Sequence, residues 1–248
     1  MIIIKNDMEI EYMRHAGRLV GETLAKLEEI VKPGITTEEL DKIAEEFILK
    51  HNAKPSFKGY NGFPASICAS VNNEVVHGIP GNRVLQEGDI ISVDCGAILN
   101  GYQGDAARTI PVGKVSSEAQ KLIDVTRESF FKGIEFAKVG NKLTDISSAI
   151  QTYVENFNFS IVRDFVGHGI GRDMHEDPEV PNFGRPGRGP KLRHGMVLAI
   201  EPMVNIGQYE VDVQSNGWTV VTKDGSLSAH YENTVAILNN GPEVLTLI

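Results

Sequence analysis

Asp94, Asp105, His168, Glu201 and Glu232 are the residues of this chain whose types and surroundings call for chemistry. Each lies in or beside a short apolar, strand-like segment, where a lone charge is costly to desolvate. Four carboxylates in such segments need a shared compensating charge. Two divalent cations would neutralise them, which predicts a pair of metal ions rather than one. Four carboxylates and one imidazole form a hard, oxygen-rich donor set. It suits Mn²⁺, Fe²⁺ or Co²⁺ better than a structural zinc, which would want cysteines. Paired ions about 3.5–4 Å apart generate hydroxide near neutral pH and polarise a carbonyl, so the reaction class expected is metal-assisted hydrolysis.

Taken singly, each residue has a plainer reading. Asp94 and Asp105 could be solvated aspartates of an edge hairpin, and His168 a structural histidine. Glu201 and Glu232 could face outward from their strands. Local sequence sharpens the first pair. Asn100-Gly101 is a two-residue hairpin turn between runs 90–99 and 102–110, so cross-strand partners sum to 201. Asp94 then faces Ala107, and Asp105, two residues from Ala107, shares its face. That diagonal spans roughly 7–8 Å between backbones, close enough for both carboxylates to grip one site. His168 sits in Gly167-His168-Gly169, where missing side chains let other groups approach. Glu201 interrupts the run 196–204, and Glu232 the run 229–237.

The elements that must position these residues recur. Tyr12, Ala16, Leu19, Val20, Leu24, Leu27 and Val31 repeat at helical steps, and Lys32-Pro33-Gly34 ends that helix. Thr36-x-x-Glu39 opens a second helix as a capping box. A helix over 117–137 follows the hairpin, Lys138-Val139-Gly140 breaks it, and another helix follows. Two helices and then a group of strands, twice over, predict a pseudo-duplicated α+β fold. With no linker between them, halves of about 1–115 and 116–248 form one catalytic domain with a cleft between. Residues 178–190, rich in Pro and Gly, are expected to be a surface loop with solvated arginines.

Composition narrows the setting. The formal net charge of −9 argues against a nucleic-acid footprint, so no DNA partner is expected. Two cysteines, Cys68 and Cys95, make no disulfide framework and suit a reducing compartment. The apolar run at residues 1–4 is too short for a signal peptide, and no segment reaches the roughly 18 apolar residues of a membrane span. A cytoplasmic protein is expected.

Val93-Asp94, Gly104-Asp105, Gly167-His168-Gly169-Ile170-Gly171, Ile200-Glu201-Pro202 and Tyr231-Glu232-Asn233-Thr234, in that order and spacing, together resemble the type I methionine aminopeptidases. The likeness runs over essentially the whole chain. It implies the pita-bread fold, with two pseudo-symmetric α/β halves and the metals between them. It also implies removal of the initiator methionine from nascent chains whose second residue is small. By resemblance, Asp94, Asp105 and Glu232 serve both ions or grip one bidentately. His168 and Glu201 complete the second site, and Glu201 also takes a proton from the attacking water. His77 contacts the scissile amide and His175 donates to the developing oxyanion, which suits what a tetrahedral intermediate needs.

The resemblance further implies a methionine pocket from Tyr60, Phe63, Cys68 and Trp218, with Met174 where a larger aromatic is common. It implies a monovalent-cation site at Asn72, Glu74 and Ser228. Two positions depart from the family. His230 replaces a usual glutamine, and Asn61 a frequent histidine near the pocket mouth. The implied partners are N-terminal peptides of nascent proteins, with ribosome contact left open and a monomer expected. Two alternatives stand beside this reading: an X-Pro aminopeptidase of the same fold, and a non-catalytic binding relative.

Overall fold

The computed structural model describes residues 1–248. Helix α1 (Asp7–Ile30) opens on a reciprocal cap. The Asn6 side chain accepts from the Glu9 N–H, and the Glu9 carboxylate accepts from the Asn6 N–H. It begins a turn before the apolar stripe that predicts it. Ile10 and Met13 are buried, while Tyr12 lies on the exposed flank. Helix α2 (Thr37–Lys50) carries the Thr36–Glu39 capping box. Helices α3 (Ser117–Ile134) and α4 (Leu143–Glu155) pack on each other as α1 and α2 do.

The main sheet is antiparallel at every pairing. Its spatial order is Lys54–Pro55, Ile90–Leu99, Tyr102–Pro111, Glu232–Leu238, Val197–Ile200, Gly167–Gly169 and Glu176–Val180. Ile67–Val71 pairs with Ile90–Leu99, and Gly241–Val244 with Glu232–Leu238. The hairpin register is the one the Asn100-Gly101 turn dictates, with Asp94 opposite Ala107 and Asp105 opposite Gly96. Both turn residues have positive φ, 54° and 80°, the type I′ pattern that matches strand twist.

Chain segments from before and after residue 115 meet at a narrow seam. Tyr102–Pro111 and Glu232–Leu238 share only the pairs Glu232–Ala107 and Asn233–Ala106. Side chains extend the ladder there. The Asp105 N–H donates to the Thr234 hydroxyl oxygen at 3.0 Å, and that hydroxyl donates to the Asp105 carbonyl at 2.9 Å. Arg108 bridges the same seam, donating to the Glu232 carbonyl at 2.6 Å and to Asn233 Oδ1 at 2.7 Å. A carbonyl lost here would be left buried and unpaired, so these bonds keep two acids at fixed positions.

Two apolar cores flank this seam. One gathers Leu19–Leu27, Leu40 and Ile48 against the hairpin, and the other gathers Leu122, Phe130, Ile146 and Ile150 against Leu198, Ile200 and Val235. Gly104 lets α1 lie directly on the hairpin, because a Cβ there would stand 2.8 Å from the Ala16 carbonyl carbon.

The loop expected over 178–190 begins later. Glu176–Val180 is an edge strand on Gly167–Gly169, with a register shift that carries Pro178 in the unpaired stretch. An edge bulge demands no ladder N–H, which is how proline fits a strand. Beyond it, Arg185 and Arg188 are exposed, as expected of a loop. No helix is long and apolar enough to cross a membrane.

Candidate metal centre

The five residues singled out by type line one cavity of about 210 Å³ at the seam. Asp94 and Asp105 come from the middle of the hairpin strands. His168 is the centre of Gly167–Gly169, Glu201 follows the strand Val197–Ile200, and Glu232 opens the strand Glu232–Leu238. The glycines beside His168 are steric necessities. A Cβ on Gly167 would strike the Ala199 carbonyl oxygen, and one on Gly169 the Asp177 carbonyl oxygen. Donor atoms of Asp105, His168 and Glu232 lie within 4.8 Å of one another. Those of Asp94, His230 and Glu232 form a second such group, so Glu232 belongs to both.

The remaining sequence candidates fall into three positions. Phe63, Cys68, Met174 and Trp218 line the cavity, with Phe63 and Trp218 edge to face at 5.1 Å. His77, Tyr60 and His175 complete it, with Asn61 beside them. His77 holds φ at +59°, unusual for a residue with a Cβ, and its ring packs edge-on against Phe165 and Trp218. Tyr60 Oη lies 2.8 Å from His175 Nδ1, and the rings of His168 and His175 are 4.3 Å apart. Asn72, Glu74 and Ser228 stand outside the cavity. The Ser228 N–H donates to the Asn72 carbonyl at 3.0 Å. The Asn72 side chain is committed to Asp89 and Ile90, and the Glu74 carboxylate to the Val71 N–H and Arg83. A cation there would rely on main-chain carbonyls and the Ser228 hydroxyl.

Two residues at the centre escape the reading by type. Phe57 lines the wall and carries no sequence signal. His230 stands out in sequence only as a departure, although its period-two spacing from Glu232 indicates a shared face. Its Nε2 lies 3.6 Å from Glu201 Oε2 and 3.8 Å from Glu232 Oε2.

Electrostatics indicate what the cluster lacks. Burial raises all four acids. Asp94 is pushed up to about 7 and Glu201 to about 8, while Asp105 and Glu232 rise well above the usual carboxylate range. Asp94 and Glu201 add repulsion on Asp105, and Asp105 adds it on Glu232. The imidazoles go the other way: burial lowers His168, His77 and His230 to about 4, leaving neutral rings. Asp94 Oδ1, Asp105 Oδ1, Glu232 Oε1 and His230 Nε2 are buried and have no hydrogen-bond partner. Orphaned buried acceptors on four converging side chains are rare in folded proteins and are what a bound cation satisfies. The donor set fits hard divalent ions.

An antiparallel sheet that gathers carboxylates and neutral imidazoles under an apolar cavity defines a metal-dependent hydrolase type of centre. The chain belongs to metallopeptidase family M24, whose model matches residues 11–239. A relative from Clostridium acetobutylicum named methionine aminopeptidase is 74% identical over 248 residues, covering 100% of this chain and 99% of the relative. The crystal structure of methionine aminopeptidase from Rickettsia prowazekii superposes with a TM-score of 0.98 at 45% identity, over 100% of both chains. A prolidase from Pyrococcus furiosus matches with a TM-score of 0.80 at 24% identity, over 99% of this chain and 66% of its own, a likeness of fold alone. The architecture is the pita-bread fold that the resemblance implies.

Proposed function

We propose that this chain is a metal-dependent methionine aminopeptidase of the short type I form, removing the initiator methionine when the second residue is small. One observation carries the reading: orphaned carboxylates and a neutral imidazole lie beneath an apolar cavity lined by Phe63, Cys68, Met174 and Trp218. Two divalent ions (Co²⁺, Mn²⁺ or Fe²⁺) would be held by Asp94, Asp105, His168, Glu201 and Glu232. When bound, they supply a nucleophilic hydroxide near neutral pH and Lewis acidity toward the scissile carbonyl. Glu201, whose carboxylate stands in the cluster with Oε1 3.7 Å from His168 Nε2, accepts the proton of the attacking water. His175, oriented by Tyr60, donates toward the developing oxyanion, and His77 contacts the scissile amide. Methionine seats its side chain in the apolar cavity, where an unbranched thioether packs well.

The same reading takes residues 1–248 as one catalytic domain with halves of about 1–115 and 116–248, since the site straddles the seam between them. Its substrates are N-terminal peptides of nascent chains, met in the cytoplasm by a monomer in transient contact with the ribosome. A monovalent cation at Asn72, Glu74 and Ser228 belongs to the same proposal.

The test is cleavage by the purified protein. With Co²⁺ or Mn²⁺ it is expected to release methionine from Met-Ala-Ser and to leave an X-Pro peptide intact. The chelated protein and Asp105→Ala are expected to be inactive. Full activity after chelation overturns the metal mechanism, and preference for the X-Pro peptide overturns the specificity.

A further inference from the structure

His230 is bound into the centre by more than proximity. Its side chain is almost wholly buried, and Nε2 has no hydrogen-bond partner. The nearest acceptors, Glu201 Oε2 at 3.6 Å and Glu232 Oε2 at 3.8 Å, lie beyond the roughly 2.7–3.2 Å of an N–H···O bond. The same pattern holds at His168, whose Nε2 stands 3.7 Å from Asp105 Oδ2 and 3.7 Å from Glu201 Oε1. Two donors each about 2.1 Å from one ion lie roughly 3.0–4.2 Å apart, depending on the angle between them. Both imidazoles therefore keep ligand-to-ligand spacing from the acids, not hydrogen-bond spacing. Glu201 divides its carboxylate between them, one oxygen toward each ring.

The main chain from which the His230 ring projects is fixed. The Thr109 hydroxyl oxygen accepts from the His230 N–H at 2.8 Å, and the hydroxyl donates to the His230 carbonyl at 2.9 Å. His230 also pairs with Met203 in a small sheet, so its direction is set by rigid elements.

We infer that His230 is a metal ligand: with Asp94 and Glu232 it holds one ion, as His168 with Asp105 and Glu232 holds the other. The inference rests on the two-ion reading above. Each ion then has an imidazole of its own, and the oxygen-rich set predicted from five residues gains a second nitrogen. Nitrogen donors favour the later divalent metals, so the Asp94 site is expected to prefer Co²⁺ over Mn²⁺ more strongly than an all-oxygen site would.

Crystals of the wild-type protein loaded with Co²⁺ decide the matter by anomalous diffraction. Two peaks are expected, one about 2.1 Å from His168 Nε2 and one about 2.1 Å from His230 Nε2. Calorimetric titration of apoprotein with Co²⁺ adds a second readout. His230→Gln is expected to weaken one of two binding events by tenfold or more while the other stays unchanged. Two ions with the His230 ring more than about 3 Å from both would overturn the inference while leaving the metal centre intact. Absence of any bound Co²⁺ would overturn the two-ion reading itself. The crystal result stands even if the variant fails to fold.

Discussion

Lys5 and Glu176 form an ion pair with side-chain exposures of 3% and 4%, joining the N-terminal segment to the turn that carries Met174 and His175. Glu176 Oε1 also accepts from the Arg172 N–H at 3.1 Å, closing the 172–176 turn on itself. Gly171 leaves the room, because a Cβ there would overlap both partners. Removing one partner strands a buried charge, which typically destabilises by about 3–5 kcal/mol. Lys5→Met is expected to lower unfolding free energy by about that much in urea titrations. The double variant Lys5→Met/Glu176→Leu should recover most of the loss, since an apolar replacement of the whole pair is often neutral. If the double variant is no more stable than the single one, the pair is not what holds the turn.

The acid cluster predicts how stability depends on pH. Folded-state pKa values raised to about 7 for Asp94 and about 8 for Glu201 mean that the folded apoprotein binds protons the unfolded chain has released. That stabilisation is complete below the unfolded carboxylate pKa and is lost as pH rises through 7 and 8. The lowered histidines oppose this only below their ordinary value of 6.5. Chelated protein should therefore melt at a lower temperature at pH 8 than at pH 6.5. Ligation needs deprotonated acids, so the Tm gain on adding Co²⁺ should be larger at pH 8. A Tm gain that shrinks over that interval contradicts this account of the cluster.

His175 reaches the cavity from the exposed side, with Tyr60 Oη 2.8 Å from its Nδ1. Removing one oxyanion donor typically costs about 10²–10³ in kcat. His175→Ala should lose about that much and still bind metal as wild type does by calorimetry. Tyr60→Phe, which only loosens the ring, should lose less. A variant with kcat within threefold of wild type would remove His175 from the proton bookkeeping.

The end of the cavity lined by Phe63, Cys68, Met174 and Trp218 is apolar, so a side chain seated there is selected by size and fit. One methylene more or less changes discrimination by roughly 1–3 kcal/mol. Peptides starting with norleucine or leucine should therefore be cut about 10–200-fold less efficiently in kcat/KM than those starting with methionine. Rejection beyond about 10⁴-fold would overturn selection by apolar fit and point to polar recognition of the side chain.

Much of the fold was legible because its signals are local. The Thr36–Glu39 box caps α2, and the Asn100-Gly101 turn sets the register opposing Asp94 to Ala107. The Asn6–Glu9 box has the same form and starts α1 a turn before its apolar stripe does. The strand Glu176–Val180 was hidden by Pro178, since only its bulged edge position makes a proline acceptable there.

From its residues alone, the chain determined which side chains could not be buried unpaired, which turns closed its hairpin and where its helices were capped. Those are properties of a few neighbours in sequence, governed by backbone sterics and desolvation. Tertiary structure alone decided that residues from 94 to 232 converge at a seam two residue pairs long. It also decided that His230 turns its free nitrogen into that cluster and that Lys5 locks the turn beside His175. Such contacts depend on how distant segments pack, because local spacing can suggest a shared face, as for His230 and Glu232, but does not say what that face meets.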